Sequence, residues 1–274
     1  MADSYATHHA TVDVAANAAD RLSRLHGASE LHAALLALLL TPGSKRAARA
    51  WGIETAATLG IEGLREGVAS LSGAARLPWV ELLLSRMALQ PLAVRKELLQ
   101  ATRRVMGARG WARPIDRLHW LLMRRGLGEV PPVAVRAEAS VEVTEWLESD
   151  VLALAAYTAF LSRMIPGDAE DASAGAKWYA SVMATWQPFA DAPECKPPDT
   201  EGMLEALGKL QTMSWMQRPV IIRGWVSAAL KHSGGARFDD LTADALRITC
   251  TLLDSPQPPE LARHYITLAA DATR

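Results

Sequence analysis

Seven histidines and two cysteines, none of them clustered at ligand spacing, bound the chemistry open to this chain. His8 and His9 are adjacent, which lacks the i, i+4 or paired-loop spacing that turns two imidazoles onto one metal ion. His119 stands beside Trp120 with no second histidine or carboxylate at ligand spacing. A general base is the sharper reading of it, and a packed, partly exposed histidine the plainer one. His232 falls near Gly234-Gly235 at an expected helix end, where the helix dipole favours a protonated imidazole. Gly43-Ser44-Lys45 shares the end of a phosphate loop, but the earlier glycine of GxxxxGKS is missing. Gly234-Gly235 with Arg237 could cradle an anion on backbone N–H groups; a helix C-cap followed by a turn accounts for the same glycines. There is no HExxH, no GxSxG and no Cys/His motif. Asp239-Asp240 and the pair Asp168 and Asp171 fall in expected loops, where solvation explains paired carboxylates. No catalytic residue, cofactor or metal is expected.

Charge is the stronger signal. Residues 86–125 hold ten arginines and lysines against Glu97 and Asp116 alone. The candidate partner or anion surface is therefore Arg95, Arg103, Arg104, Arg109 and Arg113 with Trp111, joined by Arg237 from the second half. A basic helical face is ordinarily just solvated. An acidic stretch follows at once, with Glu138, Glu142, Glu145, Glu148 and Asp150. Glu142, Glu145 and Glu148 are expected to come near Arg95, Arg103 or Arg104, so that the chain covers part of its own basic face. Nine tryptophans are the other unusual feature. Trp79, Trp111, Trp120, Trp215 and Trp225 lie near the basic helices and their later counterparts, as a partner groove or as packing between helices.

The elements that carry these residues read as helices. Leu22, Leu25, Leu31, Leu35, Leu38 and Leu39 recur at three- and four-residue spacing from Val14 to Leu40, broken at Gly27, with Ser29 as the expected N-cap. Short helices follow over 45–60 and 61–72, stopped by Gly60 and Gly73. The central stretch 77–128 reads as three helices, Trp79–Leu89, Leu92–Met106 and Ile115–Arg125, punctuated by Pro78, Pro91 and Pro114, with Gly126 as the C′ residue. Beyond Pro131-Pro132, helices are expected over 151–165, Lys177–Trp186, Gly202–Gln211, Pro219–His232, Asp240–Leu253 and Pro259–Ala272. No period-two run of β-branched residues persists for six positions, so the chain reads as all-α.

An offset of 128 aligns the chain on itself without a gap. Pro91 meets Pro219, Arg95 meets Arg223, Ala101 meets Ala229, Gly107-Ala108-Arg109 meets Gly235-Ala236-Arg237, Asp116 meets Asp244 and Leu118 meets Leu246. This spacing implies a multi-helix bundle of two related helix–loop–helix halves, 14–128 and 135–272, joined near 126–134 and packed as one unit.

Leu77-Pro78, Glu81 to Leu84, Arg95, Leu98-Leu99, Val105-Met106, Gly110, Pro114, Asp116, Leu118 and Trp120 form a pattern. It resembles the helical region that follows the peptidase in bacterial membrane zinc peptidases of the gluzincin type. More distantly, the region looks like the TerB-type helical domain. That resemblance implies an accessory helical module. It implies no peptidase activity, because HExxH is missing. Arg109 precedes Gly110 where the TerB pattern has an aspartate, and Ser233-Gly234-Gly235 replaces it in the second copy, so no metal role carries over.

With 274 residues, half of them apolar, 22% charged and a net charge of −1, the composition is globular and shows no global pull towards nucleic acid. Cys195 and Cys250 make no disulfide framework, which favours a reducing compartment, and the N-terminus carries no secretory pattern. The run Leu31–Leu40 is half of what a bilayer span needs. A cytoplasmic α-helical interaction module with a protein partner is the expectation. A small-molecule or anion-binding protein, or an enzyme, with a pocket between the halves is the alternative. Contact of the basic helices with a membrane surface is the weaker third.

Overall fold

The computed structural model describes residues 15–110, 112–128, 146–167, 173–186, 193–235 and 237–268. Every regular element among them is a helix. None is long and apolar enough to cross a membrane. The chain divides into two compact units. The first is Met1–Ala112 with Met123–Glu129 and Tyr265–Arg274; the second is Arg113–Leu122 with Val130–His264.

In the first unit, α1 (15–23) leads to α2 (Ala28–Leu38), α3 (Lys45–Glu54), α4 (Leu64–Ala69), α5 (Gly73–Met87) and α6 (Leu92–Gly107). The leucine-rich run makes α2 the centre. Leu31, Ala33, Ala34, Leu35, Leu36, Ala37 and Leu38 are all buried, and α3, α4, α5 and α6 pack around them. A helix apolar on every side belongs in a core. Its start is two residues earlier than Ser29 suggests: Gly27 is the N-cap residue, in extended conformation.

Helix α5 departs furthest from expectation. It begins at Gly73 rather than Trp79 and carries Pro78 in its interior. A proline there cannot donate to the carbonyl four residues back. That carbonyl, on Ala74, instead accepts the N–H of Ile266 at 3.3 Å. The last segment accordingly leaves helical geometry early: α13 is only Pro259–Ala262, and 266–268 run on without helix. Helix α7 (Pro114–Leu127) also continues past its expected stop. Gly126 lies inside it, where an added Cβ would stand 2.7 Å from the Leu84 side chain. The glycine is there for close packing, not for a left-handed cap.

The second unit contains α8 (Glu148–Leu161), α9 (Ala174–Met183), α10 (Thr200–Thr212), α11 (Gln217–His232), α12 (Asp240–Leu252) and α13. Its core gathers Tyr157, Phe160, Trp178 and Trp225. The Trp225 indole N–H donates to Thr158 Oγ1 at 2.9 Å, and the Tyr157 hydroxyl lies 3.1 Å from Thr249 Oγ1. Burial drives the Tyr157 hydroxyl's pKa upward. Asp199 and Asp239 cap α10 and α12 by accepting the N–H groups of Gly202 and Thr242, both at 2.8 Å.

The segments related by the 128-residue offset share part of their burial pattern. Leu98 and Val226, Ala101 and Ala229, Ile115 and Ala243, and Leu118 and Leu246 are buried in both. Their helices nevertheless run out of phase, since α11 occupies the positions matching 89–104 rather than 92–107. Gly107 is helical whereas its counterpart Gly235 has φ +78°. A second likeness is not carried by matched residues. Arg95, in the first turn of α6, donates to the Leu127 and Gly128 carbonyls at the end of α7. Arg218, in the first turn of α11, donates to the Leu253 carbonyl at the end of α12 at 2.7 Å.

Candidate functional site

Part of the basic charge that stands out in the sequence, Arg86 and Arg95, is used to terminate helices, as is Arg76 just before it. The last four carbonyls of a helix lack intrahelical donors, and a guanidinium offers five N–H groups. Arg86 donates to the carbonyls of Leu22, Ser23 and Leu25 behind α1, and Arg76 to those of Leu38 and Leu40 behind α2. Arg95 does the same for α7.

The other candidate residues are dispersed. Arg104 is paired with Glu54 of α3. Arg113 donates through its backbone N–H to Asp116 Oδ2 at 2.8 Å and through Nη2 to Oδ1 at 3.2 Å, which makes the buried Asp116 a capping group for α7. Arg103 is exposed and Arg109 half-buried, and neither lacks a partner. Arg237 is exposed after the Gly234-Gly235 turn. Trp111 lies outside the described residues, as do Glu142 and Glu145. Arg95, Arg103, Arg104 and Arg109 belong to the first unit, and Arg113 and Arg237 to the second.

The remaining sequence candidates have local explanations. The Gly235 N–H donates to the Leu230 carbonyl at 2.8 Å and that of Ser233 to Ala229 at 3.0 Å, a left-handed C-terminal cap on α11. Asp239 caps α12, while Asp240 Oδ1 lies 3.1 Å from His264 Nε2. His119 is half-buried and partnered, and His232 is exposed at the end of α11. His8, His9, Asp168 and Asp171 fall outside the described residues. Among those described, no three His, Cys, Asp or Glu side chains come together as a metal site. Cys195 and Cys250 are not joined in a disulfide; the Cys195 Sγ is 3.5 Å from Ser162 Oγ. Of the tryptophans near the helix pairs, Trp79 and Trp225 are buried and Trp215 is 72% exposed.

Among the concave sites of the described residues, two bear on function. One is a cavity of about 640 Å³ in the second unit, running between α8 and α10. Helix α8 is buried almost all round: only Glu148, Ser149, Leu152 and Ala156 are not. Ser149, Leu152 and Ala156 line the cavity at i, i+3 and i+7, facing Glu205, Gly208 and Thr212 at the same spacing on α10. Leu152 is 49% exposed. At one margin Lys209 is neutralised by Asp150 at 3.1 Å. Glu205 has no ion-pair partner among the described residues, so the cavity's unbalanced charge is negative. The sequence concealed this site because 151–165 is apolar throughout, and no periodicity marks which strip of such a helix stays uncovered.

The other is a cavity of about 290 Å³ in the first unit, at the start of α3, lined by Thr41, Lys45, Arg65 and Arg76 among others. Comparisons with known proteins return no match for this chain among family models, curated proteins or solved structures.

Proposed function

We propose that the chain is a helical interaction module whose second unit takes an amphipathic helix of a partner protein into the groove between α8 and α10. One observation carries the reading: the only uncovered strip of an otherwise buried helix presents Leu152 and Ala156, where solvent alone would favour charged side chains. Gly208 supports it. A glycine inside a helix costs about 0.5–1 kcal/mol relative to alanine, and a Cβ there would meet nothing within 4 Å. A partner backbone lying close over α10 gives that glycine a use. Glu205 selects the occupant's flank, which carries lysine or arginine beside the apolar face.

The internal duplication and the resemblance to a TerB-like accessory region belong to the same proposal. So do a reducing, cytoplasmic setting, favoured by two cysteines that form no disulfide with one another, and a role beside a membrane peptidase-like system.

The test compares the whole chain with Gly208→Met and Ala156→Arg, which fill the groove from either wall. Proteins captured from the native host are identified, and the helical segment responsible is synthesised and titrated by fluorescence anisotropy. The expected result is one partner whose basic amphipathic helix binds the wild-type chain and neither variant. Capture by both variants, or a peptide that binds all three proteins alike, overturns the reading. Self-association lost in both variants would replace the partner with a second copy.

A further inference from the structure

The cavity at the start of α3 is independent of the groove, lies wholly in the first unit and has the chemistry of an anion site. Gly43, with φ +76°, turns the chain after α2 so that Ser44 becomes the N-cap of α3. The Ser44 hydroxyl accepts the Ala47 N–H at 3.2 Å, and the first backbone bond into the helix runs from Ala48 to the Ser44 carbonyl at 3.0 Å. The N–H groups of Lys45 and Arg46 lie ahead of that bond, at the positive end of the helix.

Helix starts favour acidic residues, yet the first turn of α3 holds none and opens with Lys45-Arg46. Cations at the positive end of a helix are unfavourable. Lys45 makes no ion pair with any described residue. Arg65 and Arg76 approach the same cavity from α4 and α5, and no carboxylate lines it. Arg76 is held in place by the two carbonyls at the end of α2. Arg65 shares its guanidinium with Glu66, which lies outside the lining. Thr41 is a half-buried residue of the lining, and its hydroxyl oxygen is covered and without a hydrogen bond among the described residues. Three cations and a helix start that opposes them meet at one hollow.

We infer that this cavity binds the phosphoryl group of a small soluble phosphate ester. Lys45 and Arg65 would neutralise its charge, and the α3 N–H groups would supply neutral donors. A volume of about 290 Å³ lies at the lower edge of small-molecule sites. It suits a phosphate with a short substituent and not a nucleotide.

The experiment uses the whole chain, with inorganic phosphate and glycerol phosphate as probes. Titration calorimetry and thermal unfolding are run at constant ionic strength, with chloride making up the difference. The expected result is saturable binding that raises the melting temperature, and that weakens about tenfold in Lys45→Ala and in Arg65→Ala. Lys45→Arg should retain it. Both substitutions sit at solvent-accessible positions, and unchanged helical circular dichroism confirms that the fold survives. Phosphate acting no differently from chloride, or binding the two alanine variants as it binds wild type, overturns the inference. Sedimentation with phosphatidic acid vesicles separates the source of the phosphate. No pelleting above plain phosphatidylcholine supports the soluble ester, and phosphate-competed pelleting overturns it in favour of a lipid headgroup.

Discussion

Arg104 meets Glu54 in a two-pronged pair, Nε donating to Oε1 at 2.6 Å and Nη2 to Oε2 at 2.7 Å, and so ties α6 to α3. The Arg104 side chain is half exposed while that of Glu54 is largely covered. Hydrogen bonding from Arg104 holds the Glu54 carboxyl below its ordinary value.

Glu54→Gln should therefore cost about 0.2–1 kcal/mol at neutral pH, the range of a solvent-screened pair. A lowered folded-state pKa means the contribution is present above the unfolded value of 4.5 and fades as pH falls through the folded one. Urea unfolding of wild type and variant should differ at pH 7 and converge near pH 3. A difference that survives at pH 3 would separate the residue's role from its charge.

His32 on α2 gives a second pH dependence. Its Nε2 is buried without a hydrogen bond among the described residues. Desolvation lowers its pKa below 6.5; Glu97 of α6 and Glu54 of α3 push upward, and Arg104 reinforces the lowering. The unfolded chain takes up the proton first, so stability is full above 6.5 and declines as pH drops below it. The melting temperature should fall between pH 7 and pH 5.5, and His32→Gln should flatten that slope. An unchanged slope would assign the dependence to other groups.

Two helical glycines should respond in opposite directions. At Gly175, the second residue of α9, an added Cβ would stand 2.1 Å from the Ser162 carbonyl oxygen, which is backbone and cannot step aside. Gly175→Ala should cost about 3 kcal/mol or more. Gly208→Ala meets nothing within 4 Å and should gain about 0.5–1 kcal/mol. Chemical denaturation measures both; equal effects would contradict the close approach of α8 and α9.

The buried bond from Trp225 to Thr158 predicts a contrast between two near-isosteres. Thr158→Val leaves the indole N–H without an acceptor, at a cost of about 1–3 kcal/mol, whereas Thr158→Ser keeps the acceptor and should cost less. Comparable losses in the two variants would mean that the methyl packing, not the hydrogen bond, matters there.

The all-helical class was legible because leucine spacing, proline breaks and glycine stops agree along most of the chain. Helix ends were less so where a distant partner decides them. Nothing near Pro78 reveals that Ile266 will supply the missing donor to Ala74, and nothing near Gly126 reveals the Leu84 side chain beneath it. The run of arginines was plain, but its use was hidden: Arg76, Arg86 and Arg95 act on carbonyls 32 to 64 positions away. Gly43-Ser44-Lys45 was visible as a fragment of a phosphate motif. Arg65 and Arg76, which complete the cavity around it, come from helices whose packing no local pattern encodes.

Because α8 is covered on every side except the strip of Ser149, Leu152 and Ala156, the groove rests on an element that cannot open without opening the core around it. Its amide hydrogens should exchange among the slowest in the unit. A partner helix docking there as proposed would meet a surface already in shape and wait for no rearrangement. Encounter is then limited by orientation, with rate constants of roughly 10⁵–10⁷ M⁻¹s⁻¹. Differences between one partner sequence and another would be felt in how long each stays.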